Sequence, residues 1–174
     1  TMGNVAGSGG YYVAMSADRI VAQPGTVTGS IGVLGGKLVT RDFLANKLGV
    51  TVDDVSVSDN AHMYLSTTPY SASEWSRHQA WLDRVYDDFT TKVADGRQME
   101  HQEVLQSAKG RIWTGEDAVR LGLVDELGGF PAALRLVKEA IGLKADDDVR
   151  LVAFPRERSL WQQLFAAAAP STEP

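Results

Sequence analysis

Ala6-Gly7-Ser8-Gly9-Gly10 sets one hydroxyl among four residues with almost no side chain, and an apolar run, Tyr11 to Ala17, follows at once. The pattern matches a relaxed form of the strand–turn–helix elbow that presents a nucleophilic serine. Such a turn lifts the hydroxyl clear of the backbone, and larger neighbouring side chains would clash there. The helix that follows aims its free N–H groups back at the turn, where they favour negative charge. Ser8 is thus a candidate nucleophile and the Gly9 amide a candidate oxyanion donor. The same residues also read as a Gly-rich turn with Ser8 as a helix N-cap, and spacing alone does not separate the two.

Outward from this stretch, composition changes along the chain. Nine of the 17 glycines fall in residues 1–36, where tight turns and close backbone approaches are expected. Arg19–Ala22 reads as a short strand, Pro24-Gly25 as a turn and Ser30–Leu34 as a further strand. Thr40–Leu48 reads as a helix with Phe43, Leu44 and Leu48 on one side and Gly49 at its end. Val50, Val52, Val55 and Val57 alternate with polar residues as in a strand, and Asp59–Tyr70 reads as a loop.

Ser71 followed by Glu74 has the capping-box spacing, opening a long helix carried by Trp81, Leu82, Val85, Phe89 and Val93 and stopped by Gly96. Shorter helices are expected from Glu103 to Ala108, after Thr114, and from Pro131 to Ile141, with a late strand at Val149–Phe154. Leu160, Trp161, Leu164 and Phe165 have packing potential in an otherwise mixed tail, and Pro170–Pro174 reads as frayed. Strands separated by helices make this an α/β chain. The aromatic residues Trp75, Trp81 and Phe89 fit core or oligomer contacts, Trp113 fits a structural role, and Asp146-Asp147-Asp148 fits a solvated turn better than a metal site.

The 174 residues suffice for one domain with a real core. Hydrophobic residues at 44% and charged residues at 22% are ordinary for a globular domain and argue against disorder or a coiled coil. With 17 Lys and Arg against 22 Asp and Glu the net charge is -5, which excludes a basic nucleic-acid footprint. No apolar run reaches the roughly 20 residues that span a bilayer. Cysteine is absent, which removes disulfides and thiolate metal sites. Thr1-Met2-Gly3-Asn4 reads like the interior of a longer sequence.

A base for Ser8 is hard to find. His62 lies in the expected loop, His78 on the long helix and His101 among glutamates. Of the lysines, Lys37 after Gly35-Gly36 is the least ordinary; Lys47, Lys92, Lys109, Lys138 and Lys144 mostly sit on amphipathic helices, where an ammonium stays wet and protonated.

Four blocks in order resemble the signal peptide peptidase A (protease IV) family of Ser-Lys peptidases. They are Gly3–Tyr12 together with Ala17–Ala22, Pro24–Val33, Trp113-Thr114-Gly115, and Gly122–Gly128. The resemblance implies a crotonase-like or Clp-protease-like α/β spiral of βαβ units in a single domain, residues 1–154, with 155–174 as a tail. It implies Ser8 as nucleophile, Gly9 as oxyanion donor and Ser30 as the residue that hydrogen-bonds and orients the catalytic lysine.

The implied substrates are remnant signal peptides, with no metal or organic cofactor and no nucleic-acid partner. The implied setting is the extracytoplasmic face of a bacterial inner membrane, in a homo-oligomer of four or more subunits anchored through a segment outside this chain. One departure matters: where short members carry the lysine, this chain has Asn60-Ala61-His62-Met63-Tyr64. Long members are tandem duplications whose N-terminal half gives the lysine, so this chain is expected to be the C-terminal half of one. The rival readings are a non-catalytic scaffold of the same fold, an acyl-CoA enzyme of the crotonase type and a Clp-like Ser-His-Asp peptidase.

Overall fold

The computed structural model describes residues 1–152 and 154, so the expectations for 155–174 lie outside the described residues. The chain divides into two compact units, Thr1–Val137 and a second from Lys138 onward. The first holds two small sheets. In one, β1 (Val5–Gly7), β3 (Val27–Gly29) and β4 (Ile112–Thr114) lie in the order β1-β3-β4, with β1 and β3 parallel and β4 antiparallel to β3. In the other, β2 (Val21–Ala22) pairs in parallel with β5 (Glu126–Leu127). Helix α1 (Gly9–Ala14) connects the β1 side to β2, and α2 (Arg41–Leu48), α3 (Ala72–Arg97), α4 (His101–Ser107), α5 (Gly115–Arg120) and α6 (Phe130–Ala140) follow. The chain is mixed α/β.

The core gathers around α1: Tyr11, Met15, Ile20, Ala22, Ile31, Phe89, Val93, Val104, Ala118 and Leu123 are buried together. The Gly122–Gly128 block clasps it. The Tyr11 hydroxyl donates to the Leu123 carbonyl at 2.9 Å, and burial pushes that phenol's pKa up. Asp125 accepts from the Ile20 amide at 2.6 Å and from Arg97 at 2.8 Å.

Several elements stand where local chemistry puts them. Ser71 accepts from the Glu74 amide at 3.2 Å while Glu74 accepts from the Ser71 amide at 2.8 Å, a complete capping box opening α3. Thr114 caps α5 through the Asp117 amide at 3.1 Å. Gly49 ends α2 in the left-handed region.

Other expectations fail. Ser30–Leu34 forms no strand: Ser30 turns to φ 50°, which ends β3 at Gly29. Residues 50–57 and 149–152 alternate or cluster apolar residues without forming a ladder. Val55 and Val57 are almost fully exposed, and an extended segment with no neighbouring strand leaves its backbone groups to water. Gly96 does not stop α3, which runs to Arg97. It is small because a Cβ there would stand 2.5 Å from the Met15 carbonyl oxygen. Helix α2 buries none of its residues, so Phe43 and Leu48 are exposed. Trp75 and Trp81 are half exposed, and of the three aromatic residues only Phe89 joins the core.

In the second unit, Lys138 donates to the Ala145 and Asp147 carbonyls at 2.8 and 2.7 Å. Asp147 accepts from the Lys144 amide at 2.7 Å, so the acidic run closes a turn.

Candidate active site

Strand β1 delivers Ser8 and β3 delivers Ser30. In their parallel register Gly7 stands opposite Gly29, so each serine is the first residue beyond the carboxyl end of its strand. The Ser8 amide donates to the Gly29 carbonyl at 2.9 Å, and the Ser30 amide to the Arg111 carbonyl at 2.8 Å. Gly7 leaves room for this: a Cβ there would press on the Ser30 Cβ at 3.3 Å.

Ser8 has φ 52° and ψ -117°, a conformation costly for any residue with a side chain. Its side chain makes no capping hydrogen bond to α1. The N-cap reading therefore fails, since a cap adopts relaxed extended backbone and bonds the first turn. The Ser8 carbonyl instead accepts from the Tyr12 amide at 2.8 Å, and the Gly9 amide, the first of α1, has no acceptor within the helix.

Both serines open onto a cleft of about 420 Å³. Ser8, Gly9 and Tyr12 form one wall, Val85 and Phe89 of α3 another, and Ser30, Gly32, Val33, Leu34 and Gly110 the rest. Gly32 and Gly110 pass so closely that a Cβ on Gly32 would lie 2.7 Å from the Gly110 nitrogen. The Tyr12 and Phe89 rings meet edge to face with centroids 5.1 Å apart.

None of the described cleft-lining residues is a lysine, histidine or carboxylate. Lys37 donates to the His62 carbonyl at 3.2 Å and lies over the Tyr70 ring at 4.4 Å. His62 Nε2 approaches Asp54 at 2.8 Å, although without hydrogen-bond geometry, and neither residue lines the cleft. His78 is buried between Tyr70 and Trp81 with Nε2 unpartnered, and His101 bonds Thr90 at 2.9 Å. Lys92 bonds Asp88 at 2.8 Å, and that carboxylate, with the Tyr12 hydroxyl, holds it protonated. Lys109 lines a neighbouring groove with Asp83 and Gln79.

Sequence reading sets Val85 on the apolar side of the long helix, Lys92 among the wet lysines and Tyr12 in the first block, but gives none of them a place at the cleft and does not pair Lys92 with Asp88. The signals were present: Tyr12 lies one helical turn past Ser8, and Asp88 and Lys92 have i,i+4 spacing.

The structure is thus a mixed α/β chain with one serine raised on a strained strand–helix turn, beside a second serine and above an apolar cleft. The model of peptidase family S49 matches residues 1–144, and the chain belongs to that family. It is 39% identical to Protease 4 of Salmonella typhi over 144 residues, 83% of this chain and 23% of that protein. It is 34% identical to Protease 4 of Haemophilus influenzae over 150 residues, 86% of this chain and 24% of that one. Against the chloroplastic serine protease SPPA of Arabidopsis thaliana it is 34% identical over 157 residues, 90% of this chain and 23% of that protein. The chain thus spans about a quarter of the length of these curated relatives. Among the described residues no helix is long and apolar enough to cross a membrane.

Proposed function

We propose that this chain carries the nucleophile half of a Ser-Lys endopeptidase that degrades remnant signal peptides. The observation that carries the reading is Ser8 at φ 52°, without a capping bond, at the mouth of an apolar cleft beside Ser30. In this reading a neutral lysine from the upstream half of the same polypeptide takes the Ser8 proton. Ser8 Oγ then attacks the scissile carbonyl, and the Gly9 amide stabilises the oxyanion. Collapse of the intermediate releases the amine, which takes the proton from the lysine, and water, deprotonated in its turn, cleaves the acyl-serine. Ser30 orients the lysine amine.

A lysine with an ordinary pKa of about 10.4 is a poor base at neutral pH, and burial against hydrocarbon lowers that value. Val33, Leu34, Val85 and Phe89 supply such a surface, and the same surface suits leucine-rich peptides. The reading extends to a Clp-protease-like spiral completed by the upstream half, to a homo-oligomer of four or more subunits, and to the periplasmic side of a bacterial inner membrane, with no cofactor.

The test compares turnover of a leucine-rich fluorogenic peptide by this chain alone and with its upstream half. Turnover only in the mixture, abolished by Ser8→Ala, supports a divided dyad. Turnover by this chain alone overturns it, and silence in both folded preparations favours a scaffold.

A further inference from the structure

Tyr12 is tied at both ends. Its amide donates to the Ser8 carbonyl at 2.8 Å, and its hydroxyl reaches α3, where it accepts from Lys92 Nζ at 2.6 Å and donates to Asp88 Oδ2 at 3.3 Å. Lys92 and Asp88 bond each other at 2.8 Å, which closes a three-membered ring of polar contacts. The Lys92 ammonium also stands 5.3 Å from the centre of the Tyr12 ring, on whose edge Phe89 packs. All the polar atoms of this set gather at the hydroxyl end of the ring, while the ring itself lines the cleft. Tyr12, Asp88 and Lys92 are all exposed in part, so the set stands at the open rim of the cleft; without Lys92 and Asp88 the hydroxyl would turn to water and the ring would lose its tie to α3.

We propose that Lys92, with Asp88, is a positioning residue that locks Tyr12 as the specificity wall of the Ser8 cleft, fitting it to branched aliphatic side chains and against bulky aromatic ones. The proposal rests on the peptidase reading only in naming the cleft's occupant as a peptide. With the hydroxyl satisfied on α3, the face offered to substrate is hydrocarbon, and its edge-to-face contact with Phe89 fixes the width. Lys92 is thereby committed to a structural bond and is not a base.

The test uses the full-length protein carrying Ser8→Ala, so that peptides bind without being cleaved. Affinities for two peptides that differ only in a central Leu or Trp are measured by calorimetry with Lys92 intact, with Lys92→Met and with Lys92→Arg. The expected result is a preference for Leu of at least tenfold that falls to within about twofold in Lys92→Met and returns in Lys92→Arg. Tyr12→Phe, which keeps the ring and removes both bonds, is a second variant and should lose selectivity as Lys92→Met does. Undiminished preference in either well-folded variant overturns the proposal. Failure of the peptidase reading shows elsewhere, as turnover that survives Ser8→Ala.

Discussion

Ser8 and Ser30 hold equivalent places in two paired strands: Gly7 and Gly29 face each other in register, and each serine follows at positive φ, 52° and 50°. Parallel strands present their carboxyl ends on one side, where α/β proteins collect ligands. The register thus brings together two hydroxyls that are 22 positions apart in the chain.

The strain at Ser8 predicts a trade between stability and function. Ser8→Gly relieves a backbone conformation worth about 1 kcal/mol, and in a domain of this size that raises Tm by about 2–4 °C. Ser8→Ala keeps the Cβ and gains nothing. Both variants of the full-length protein should lose turnover by on the order of 10⁴-fold or more. Calorimetry beside a peptide assay checks this; a Tm for Ser8→Gly at or below wild type would show that the turn is not strained.

Gly32 predicts a second, purely steric effect. A Cβ there meets the Gly110 nitrogen at 2.7 Å and its Cα at 2.8 Å, backbone atoms that cannot swing aside. Gly32→Ala should cost about 2 kcal/mol as overpacking and shift the loop that carries Ser30. Gly36, with nothing within 4 Å, is the control and should accept Ala with little change in urea unfolding.

What the sequence made legible follows from the range of the interactions. The Ser71–Glu74 box, the Thr114 cap and the Gly49 terminus are settled within a few residues, and each stands as read. The elbow around Ser8 was legible because its small residues and the following helix are contiguous. The strands expected at 50–57 and 149–154 depended on distant partners, which alternation cannot supply; residues 50–57 and 149–152 form no strand. The Tyr12–Lys92 bond joins positions 80 apart, and only the packing of α1 on α3 reveals it.

Asp125 predicts an acid-sensitive step in stability. Burial works to raise its pKa, but the Arg97 guanidinium, the Ile20 amide and Arg19 outweigh burial and hold it below the usual carboxylate range. A depressed folded-state pKa adds stability that is complete above the unfolded value of about 3.9 and is lost as pH falls through the folded value. Asp125→Asn should cost about 2 kcal/mol at pH 7, as the loss of hydrogen bonds to a charged group. Its Tm should then fall less than wild type between pH 5 and the folded pKa. Parallel acid titrations of Tm for the two proteins sink the idea.

The last prediction concerns Lys37 and His62, the bases to which a self-contained active site would turn. The Lys37 ammonium is occupied by the His62 carbonyl at 3.2 Å and by the Tyr70 ring, and the His62 ring lies against Asp54. Neither lines the cleft that Ser8 opens onto. General-base catalysis requires the base within hydrogen-bond reach of the proton it takes, directly or through one water. In the full-length protein, Lys37→Met and His62→Ala should therefore keep kcat/KM within about threefold of wild type, since removing a true base costs about 10²-fold or more. A pH–rate profile gives the sharper reading. The acidic limb, where activity falls as the general base becomes protonated, should stay in place in both variants, and its displacement by either one would move the base into this chain.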